Sequence, residues 1–345
     1  MIADVIAVVL LLAVTAYVCA GGTDYGAGFW DLLAGGARRG RRPRWLIDHA
    51  MAPVWEVNNV WLIFVLVILW TGFPVLFERL FLAMWLPLAL AAVGIVLRGA
   101  GFALRKPAQR LAGRRLYGAM FAVSSLLTPF FLGVAAGGVA SGRVTANASP
   151  SVDAWAHPFP VLFGLLAVAA TALLGAVFLA ADARRFDAPD LDAYFRRRAL
   201  AALGTVAVLA VVTLVVAHDD AAHVWHGLTH GVGLFFAVVA VVSALVTAWL
   251  VLRPSGAWSR VSVVAVVASA VIAWGMAQRP YLVPTSLTVA DGAGADTTLR
   301  WLGLVTLVAL VVVLPAVALL YWLDTHGELE SLTDADLRAG TGDEG

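Results

Sequence analysis

The chain has 345 residues, of which 61% are hydrophobic and only 13% charged, and its formal net charge is +1. That composition, with a mean hydropathy of +0.89, excludes an ordinary water-soluble domain and places the protein in the membrane-embedded class. The near-neutral balance supplies no basic surface for nucleic acid, and the single Cys19 excludes an internal disulfide framework and a CxxC metal site.

In chain order, the first apolar run, "MIADVIAVVLLLAVTAYVCAGG", lacks a basic n-region and is long enough to cross a bilayer core. It reads as a membrane helix over 3–20 rather than a cleaved leader. The next stretch, "TDYGAGFWDLLAGG", sets Gly26 and Gly28 among aromatics and predicts an interfacial turn and short helix. Asp24 has two readings there: a turn former beside Gly26, or part of an inner proton antechamber. Further spans are predicted at 54–76, 80–97, 117–138, 159–181, 199–217, 231–252, 261–277 and 299–322, each near the ~20 residues a bilayer core requires. The fold class is therefore all-α integral membrane, with nine transmembrane helices in one domain over 1–323. The remaining tail, 324–345, is acidic and poor in apolar residues, and is expected to be disordered.

Short cytoplasmic loops collect Arg and Lys. With "ARRGRRPR", "RGAGFALRKPAQRLAGRR", "ADARRFDAPDLDAYFRRR", the 253–260 turn and the tail inside, only Arg79, Arg143, Arg279 and Arg300 of the 23 basic residues lie outside. Nine spans with the N-terminus out and the C-terminus cytoplasmic satisfy that bias. The protein is thus expected to be a multi-pass membrane protein.

The second span opens with "PVWEVNNVWLI". Pro53 suits a first helical turn. Glu56 and Asn59 then share one helix face, and Asn58 and Trp61 another. Glu56 either complements the helix N-terminal dipole at an interface or acts as a functional intramembrane carboxylate. Trp55 and Trp61 belong to an aromatic belt, a subunit interface or the lining of an apolar passage. Arg98 is read as snorkelling to the cytoplasmic surface. His223, His226 and His230, at helical spacing beside Asp219 and Asp220, form an array of a kind that can bind metal, although interfacial His is commonly just a polar tip, and no metal site is assigned. A secondary transporter is the alternative functional class, but no paired interruption of spans marks two repeats.

The segments "GGTDYGAG" through "PVWEVNNVWLI", "ERLFLAMWLPLALAAVGIVLRGAGFALRK", "PYLVPTSLT" and "LLYWLDTHG" resemble, in order along nearly the whole chain, subunit II of the cytochrome bd family of quinol oxidases. Pro53, Trp55, Glu56, Asn58, Val60, Trp61 and Leu62 match the family pattern P-x-W-(D/E)-G-N-x-V-W-L. Gly21 stands where the family has its first Asp, and Val57 where it has Gly, which suggests a divergent branch.

The resemblance implies two four-helix bundles plus a peripheral helix, packed against a homologous partner, subunit I. That partner would hold two b-type haems and one d-type haem. The complex would oxidise quinol on the outer side and reduce oxygen to water with cytoplasmic protons, electrogenically, in membrane lipid and in some cases with a small accessory subunit. This chain would be a scaffold that ligates no haem: His49, His157, His218, His223, His226, His230 and His326 all fall in loops or at span ends. Glu56, Asn58, Asn59 and Asp24 would then serve proton access, Trp61 and Trp55 an oxygen path or subunit interface, and Arg98 a haem-propionate or interface contact. The isolated chain is expected to be inactive.

Cysteine probes in the loops around Arg110 and Arg196 should react from the cytoplasmic side, and one near Ser149 from outside. Labelling of positions 149 and 196 from the same side would overturn the nine-span topology.

Overall fold

In the computed structural model the described residues are 1–345 except 37–38, 51–54, 106–110, 146–149, 151, 254–255 and 326–345. The acidic tail thus lies almost entirely outside them. The first helix, α1, spans Ile2–Leu32. At 1.5 Å per residue its 31 residues reach about 46 Å, longer than a bilayer core. The interfacial turn expected at Gly26 and Gly28 is absent, because the helix runs straight through both. These glycines serve approach rather than turning. A Cβ on Gly26 would lie 2.8 Å from the backbone N of Gly175, and one on Gly175 would lie 2.7 Å from the N of Ala27. Two backbones therefore meet where neither residue has a side chain, which is how helices associate in lipid without a hydrophobic driving force.

A short α2 (Arg41–Ala50) follows, and then α3 (Trp55–Gly72), α4 (Pro74–Ala83) and α5 (Trp85–Arg105). The predicted second span does not continue to 76. Phe73 leaves helical geometry (φ −134°, ψ 63°), and Pro74 starts a new helix at a position where its missing N–H costs nothing. The segments Asn59–Gly72 and Pro74–Ala83 are bent by 115°. The next helix accordingly begins at Trp85 rather than at 80 and extends to Arg105 rather than 97.

The remaining long helices are α6 (Leu111–Ala140), α7 (Pro158–Arg185), α8 (Pro189–Asp220), the short α9 (Ala222–Thr229), α10 (Gly231–Leu252) and α11 (Ala257–Ala277). Beyond them, Tyr281–Val283 (β1) pairs antiparallel with Leu287–Thr288 (β2) ahead of α12 (Val289–Gly292), which Thr288 caps by accepting from the Asp291 N–H. Helices pack as neighbours in sequence, α5 on α6, α7 on α8 and α10 on α11, while α1 and α6 both pack on α7. The main core gathers Leu46, Ile47, Leu173, Leu174, Val177 and Phe195 from α2, α7 and α8. Residues Met1–Gly294 form one compact unit and Ala295–Gly345 a second, whose described part is α13 (Asp296–Thr325) with Pro315 inside it.

Among the described residues seven helices are long and apolar enough to cross a membrane: Ile2–Leu32, Leu116–Ala140, Pro158–Arg185, Pro189–Asp220, Gly231–Leu252, Ala257–Ala277 and Asp296–Val313. The bent α3–α4 pair makes an eighth if counted as one span, and Trp85–Gly101 is apolar but shorter. The chain is an integral membrane protein. Exposed apolar rows, such as Val208, Val211 and Val215 on α8 and Phe235, Val238, Val241 and Leu245 on α10, present a surface suited to hydrocarbon or another apolar face.

Gly26→Leu should separate α1 from α7 and cost at least the ~1–3 kcal/mol of an overpacked interior. Gly36→Leu, at a position where an added Cβ meets nothing within 4 Å, should be neutral. Thermal unfolding in detergent distinguishes the two.

Candidate functional site

The most heavily constrained polar cluster lies between α1, α5 and α6, buried within the helix packing. Asp24 is eight residues, roughly 12 Å, before the end of α1, and Arg98 is seven residues, roughly 10 Å, before the end of α5. Arg98 Nε donates to Asp24 Oδ2 at 2.9 Å, and Nη2 lies 2.6 Å from Oδ1. Nη2 also donates to the Asp24 carbonyl at 2.7 Å, and Nη1 to Ser125 Oγ at 2.5 Å. Ser125 Oγ in turn donates to the Phe121 carbonyl at 2.7 Å.

The guanidinium stands over the rings of Phe121 and Tyr25, at 4.3 and 4.7 Å from their centroids. The Tyr25 hydroxyl lies 3.4 Å from that of Tyr17. Asp24 and Arg98 are only 3% and 2% exposed. Planarity and a fixed donor fork suit Arg, rather than Lys, to this combination of bidentate and aromatic contacts.

Local sequence makes the room. A Cβ on Gly28 would fall 3.0 Å from Arg98 Nη1 and 2.9 Å from Ser125 Cβ, so only glycine leaves space for the guanidinium. On α5, a Cβ at Gly101 would lie 2.8 Å from the Tyr117 carbonyl and 2.9 Å from the Phe121 N, so glycine also draws α5 against α6.

The snorkelling expected of Arg98 is therefore wrong. Snorkelling needs a residue at a span end, but α5 continues to Arg105 and a buried carboxylate offers a better partner than the surface. Asp24 is helical, not a turn former.

A second set of ion pairs holds the helix ends around this cluster. Arg44 Nε reaches Asp31 Oδ1 at 2.8 Å, tying α2 to the end of α1. Arg184 Nε bonds Asp192 at 3.0 Å between α7 and α8, Arg260 pairs with Asp182 between α11 and α7, and Arg196 Nε donates to the Val251 carbonyl at 2.6 Å.

The other expected positions are placed as follows. Trp55, Glu56 and Asn58 lie in the first turn of α3, and their side chains fall outside the described ones. Asn59 and Trp61 are half-buried, and the Trp61 ring meets Phe64 edge-on at 6.2 Å. His223, His226 and His230 do lie together, but among the described residues no group of three or more His, Cys, Asp or Glu is arranged to hold a metal ion. Sequence reasoning missed Tyr17, Tyr25, Phe121 and Ser125. Polar residues inside an apolar span, as in "SSLLTP", were the available signal, and Tyr17 and Tyr25 sit eight residues apart on one helix face.

The sequence model of the family described as "Cytochrome bd terminal oxidase subunit II" matches residues 2–324. The chain belongs to this family. Its relatives include the cytochrome bd-I ubiquinol oxidase subunit 2 of Escherichia coli K12, 23% identical over 344 residues that cover 87% of this chain and 88% of the relative. The protein of the same name from Escherichia coli O157:H7 matches equally. Among solved structures, a chain of the bd oxidase from Geobacillus thermodenitrificans superposes with a TM-score of 0.79 at 25% identity, covering 94% of this chain and 98% of that one.

A cytochrome bd oxidase implies haem in a partner subunit, and the histidines of this chain bear on whether it could ligate such a group itself. His49, His157, His218, His223, His226 and His230 occupy helix ends or connections, and His326 is outside the described residues. The described histidines thus do not fit axial ligation within the spans.

Arg98→Gln should leave Asp24 as an uncompensated buried charge and lower stability by ~3–5 kcal/mol, while the double variant Asp24→Asn/Arg98→Gln should recover much of that loss. A double-mutant cycle on thermal stability, with Arg42→Gln at an exposed pair as control, measures the coupling.

Proposed function

We propose that this chain is the haem-free subunit of a membrane quinol oxidase, binding and completing a homologous subunit that carries two b-type haems and one d-type haem. The single observation carrying this reading is the end-to-end family match over 2–324. The placement of the described histidines at helix ends supports the haem-free role. When bound in the partner, the haems supply electron transfer from quinol and reduction of oxygen to water.

This chain's own part is structural and protonic. Nine spans, arranged as two four-helix bundles and a peripheral helix, would place the N-terminus outside and the C-terminus in the cytoplasm, with α5 and the bent α3–α4 pair completing the count. A small accessory subunit would fit the same assembly. The lipid-level apolar faces of α8 and α10 are available to membrane lipid or to the partner.

Proton entry is assigned to the first turn of α3. Glu56 takes a proton from the cytoplasmic side by reversible protonation, and Asn58 and Asn59 hold the waters that pass it inward. Asp24 would belong to the inner antechamber of this route. Both of its carboxylate oxygens already accept from Arg98, so a proton bound there would forfeit the charge pairing with a buried guanidinium. Asp24 is therefore better suited to holding the route's wall than to rapid exchange. Trp55 and Trp61 line the apolar side, as an oxygen path or a subunit contact. Uptake from the cytoplasm set against quinol oxidation outside makes turnover electrogenic, and without the partner's haems the isolated chain is inactive.

Glu56→Gln should keep assembly and haem content while lowering quinol-supported oxygen consumption per haem by about 10–100-fold, because the amide preserves shape but cannot exchange a proton. Glu56→Asp should retain most of the rate. Normal turnover and normal proton uptake in Glu56→Gln would reduce this residue to a helix-dipole partner worth ~0.3–1 kcal/mol.

A further inference from the structure

At the far ends of α8 and α11 from the Arg184 and Arg260 pairs, a cavity of about 320 Å³ opens beside the α9–α10 turn. Its walls carry His223, His226, His230 and Arg279 together with Val232 and Met276. The local fold brings these groups together. Gly231 takes φ +61°, reversing the chain between α9 and α10, and a Cβ at Gly227 would fall 2.6 Å from Ala277 Cα, so the turn sits tightly on the end of α11. The spacing 223, 226 and 230 then puts three imidazoles on one face of α9 and its exit.

The hydrogen bonds leave this face open. His223 Nε2 lies 3.3 Å from the Arg279 carbonyl, and His230 Nδ1 lies 3.0 Å from Thr229 Oγ1 and 3.1 Å from the His226 carbonyl. The rings of His226 and His230 stack at 4.3 Å. Neither ring nitrogen of His226, nor Nε2 of His230, has a hydrogen-bond partner among the described residues. No side chain caps the start of the 22-residue α10, whose first N–H groups begin at the same turn.

The surrounding carboxylates are engaged elsewhere. Asp219 holds His218 at 2.6 Å, and Asp220 holds Arg143 at 3.2 Å and the Phe159 N–H at 3.3 Å. Asp4 approaches Arg279 only at 3.9 Å, with both half exposed. Among the described residues no carboxylate lines the cavity.

We propose that this cavity binds the phosphate group of an anionic phospholipid in the leaflet at this end of the helices. Arg279 supplies a permanent positive charge, the unpartnered ring of His226 supplies an N–H donor in either tautomer, and the start of α10 supplies the positive end of a helix dipole. Lipid is the source favoured because Val232 in the cavity wall is itself exposed and continues along α10 into exposed Phe235, Val242 and Val246 at helical spacing, a surface along which acyl chains can lie while the headgroup is held. The inference is independent of the proton route.

The test uses the oxidase complex with its partner subunit, reconstituted in phosphatidylcholine nanodiscs containing a minority of phosphatidylglycerol, with retained lipids counted by native mass spectrometry. Wild type should retain phosphatidylglycerol in preference to phosphatidylcholine. The triple variant His226→Leu/His230→Leu/Arg279→Gln should lose the preference, by about fivefold for the Arg279 charge alone, and Arg279→Lys should keep it. Because these side chains are exposed, haem content per protein should be unchanged. If the triple variant does not assemble, Arg279→Gln against Arg279→Lys decides the question by itself. Equal retention in wild type and variants overturns the proposal. Saturable binding of inorganic phosphate without enrichment of phosphatidylglycerol also overturns it, by assigning the cavity to a free anion.

Discussion

An arginine and an aspartate buried between three apolar helices, out of contact with solvent, constrain everything built around them. An isolated Arg or Asp at the centre of a span costs ~2.5–3.5 kcal/mol on insertion scales, so neither Asp24 nor Arg98 is tolerable there without the other. Their bidentate contact fixes the height of α5 against α1, and the bond from Arg98 to Ser125 fixes α6 against both. A slip of one residue in any of the three helices rotates its polar group by about 100° and leaves a charge in hydrocarbon. The pair is a register pin more than a source of net stability.

Packing elsewhere conforms to the same shortage of driving force. Burying apolar surface gains little when the alternative is lipid, so close backbone approach and polar contacts must hold the helices. The Gly26–Gly175 meeting lets α1 and α7 touch at one point. Trp30 Nε1 donates to the Ala172 carbonyl at 2.8 Å alongside it. Ion pairs of Asp31, Asp182 and Asp192 then fasten the helix ends at one face.

Much of the candidate site was visible residue by residue and invisible as a constellation. Glu56, Asp24 and Arg98 stood out because a charge in an apolar stretch is rare. Their pairing was not legible: 74 positions separate Asp24 from Arg98 in the chain, and nothing local says which face of each helix meets the other. Arg98 was assigned to the surface because its span was read as ending at 97, and that one boundary reversed the role of the side chain. The histidine array was legible as helical spacing, but whether three imidazoles converge on a point or line a cavity depends on the turn at Gly231 and on the end of α11.

What the sequence determined by itself is the class of structure: runs of ~20 apolar residues must become helices in a bilayer, since only a helix satisfies every backbone N–H and C=O within one segment. The ordered motifs also placed the chain in its family. The tertiary structure decided where those helices stop, bend and touch. Gly26 and Gly28 look like turn formers in one dimension, yet they are helical because α7 and Arg98 need the space a side chain would fill. Phe73–Pro74 interrupts an apolar run that hydropathy alone treats as continuous, because hydropathy counts transfer free energy and carries no information about the missing proline N–H or the direction in which the next helix leaves.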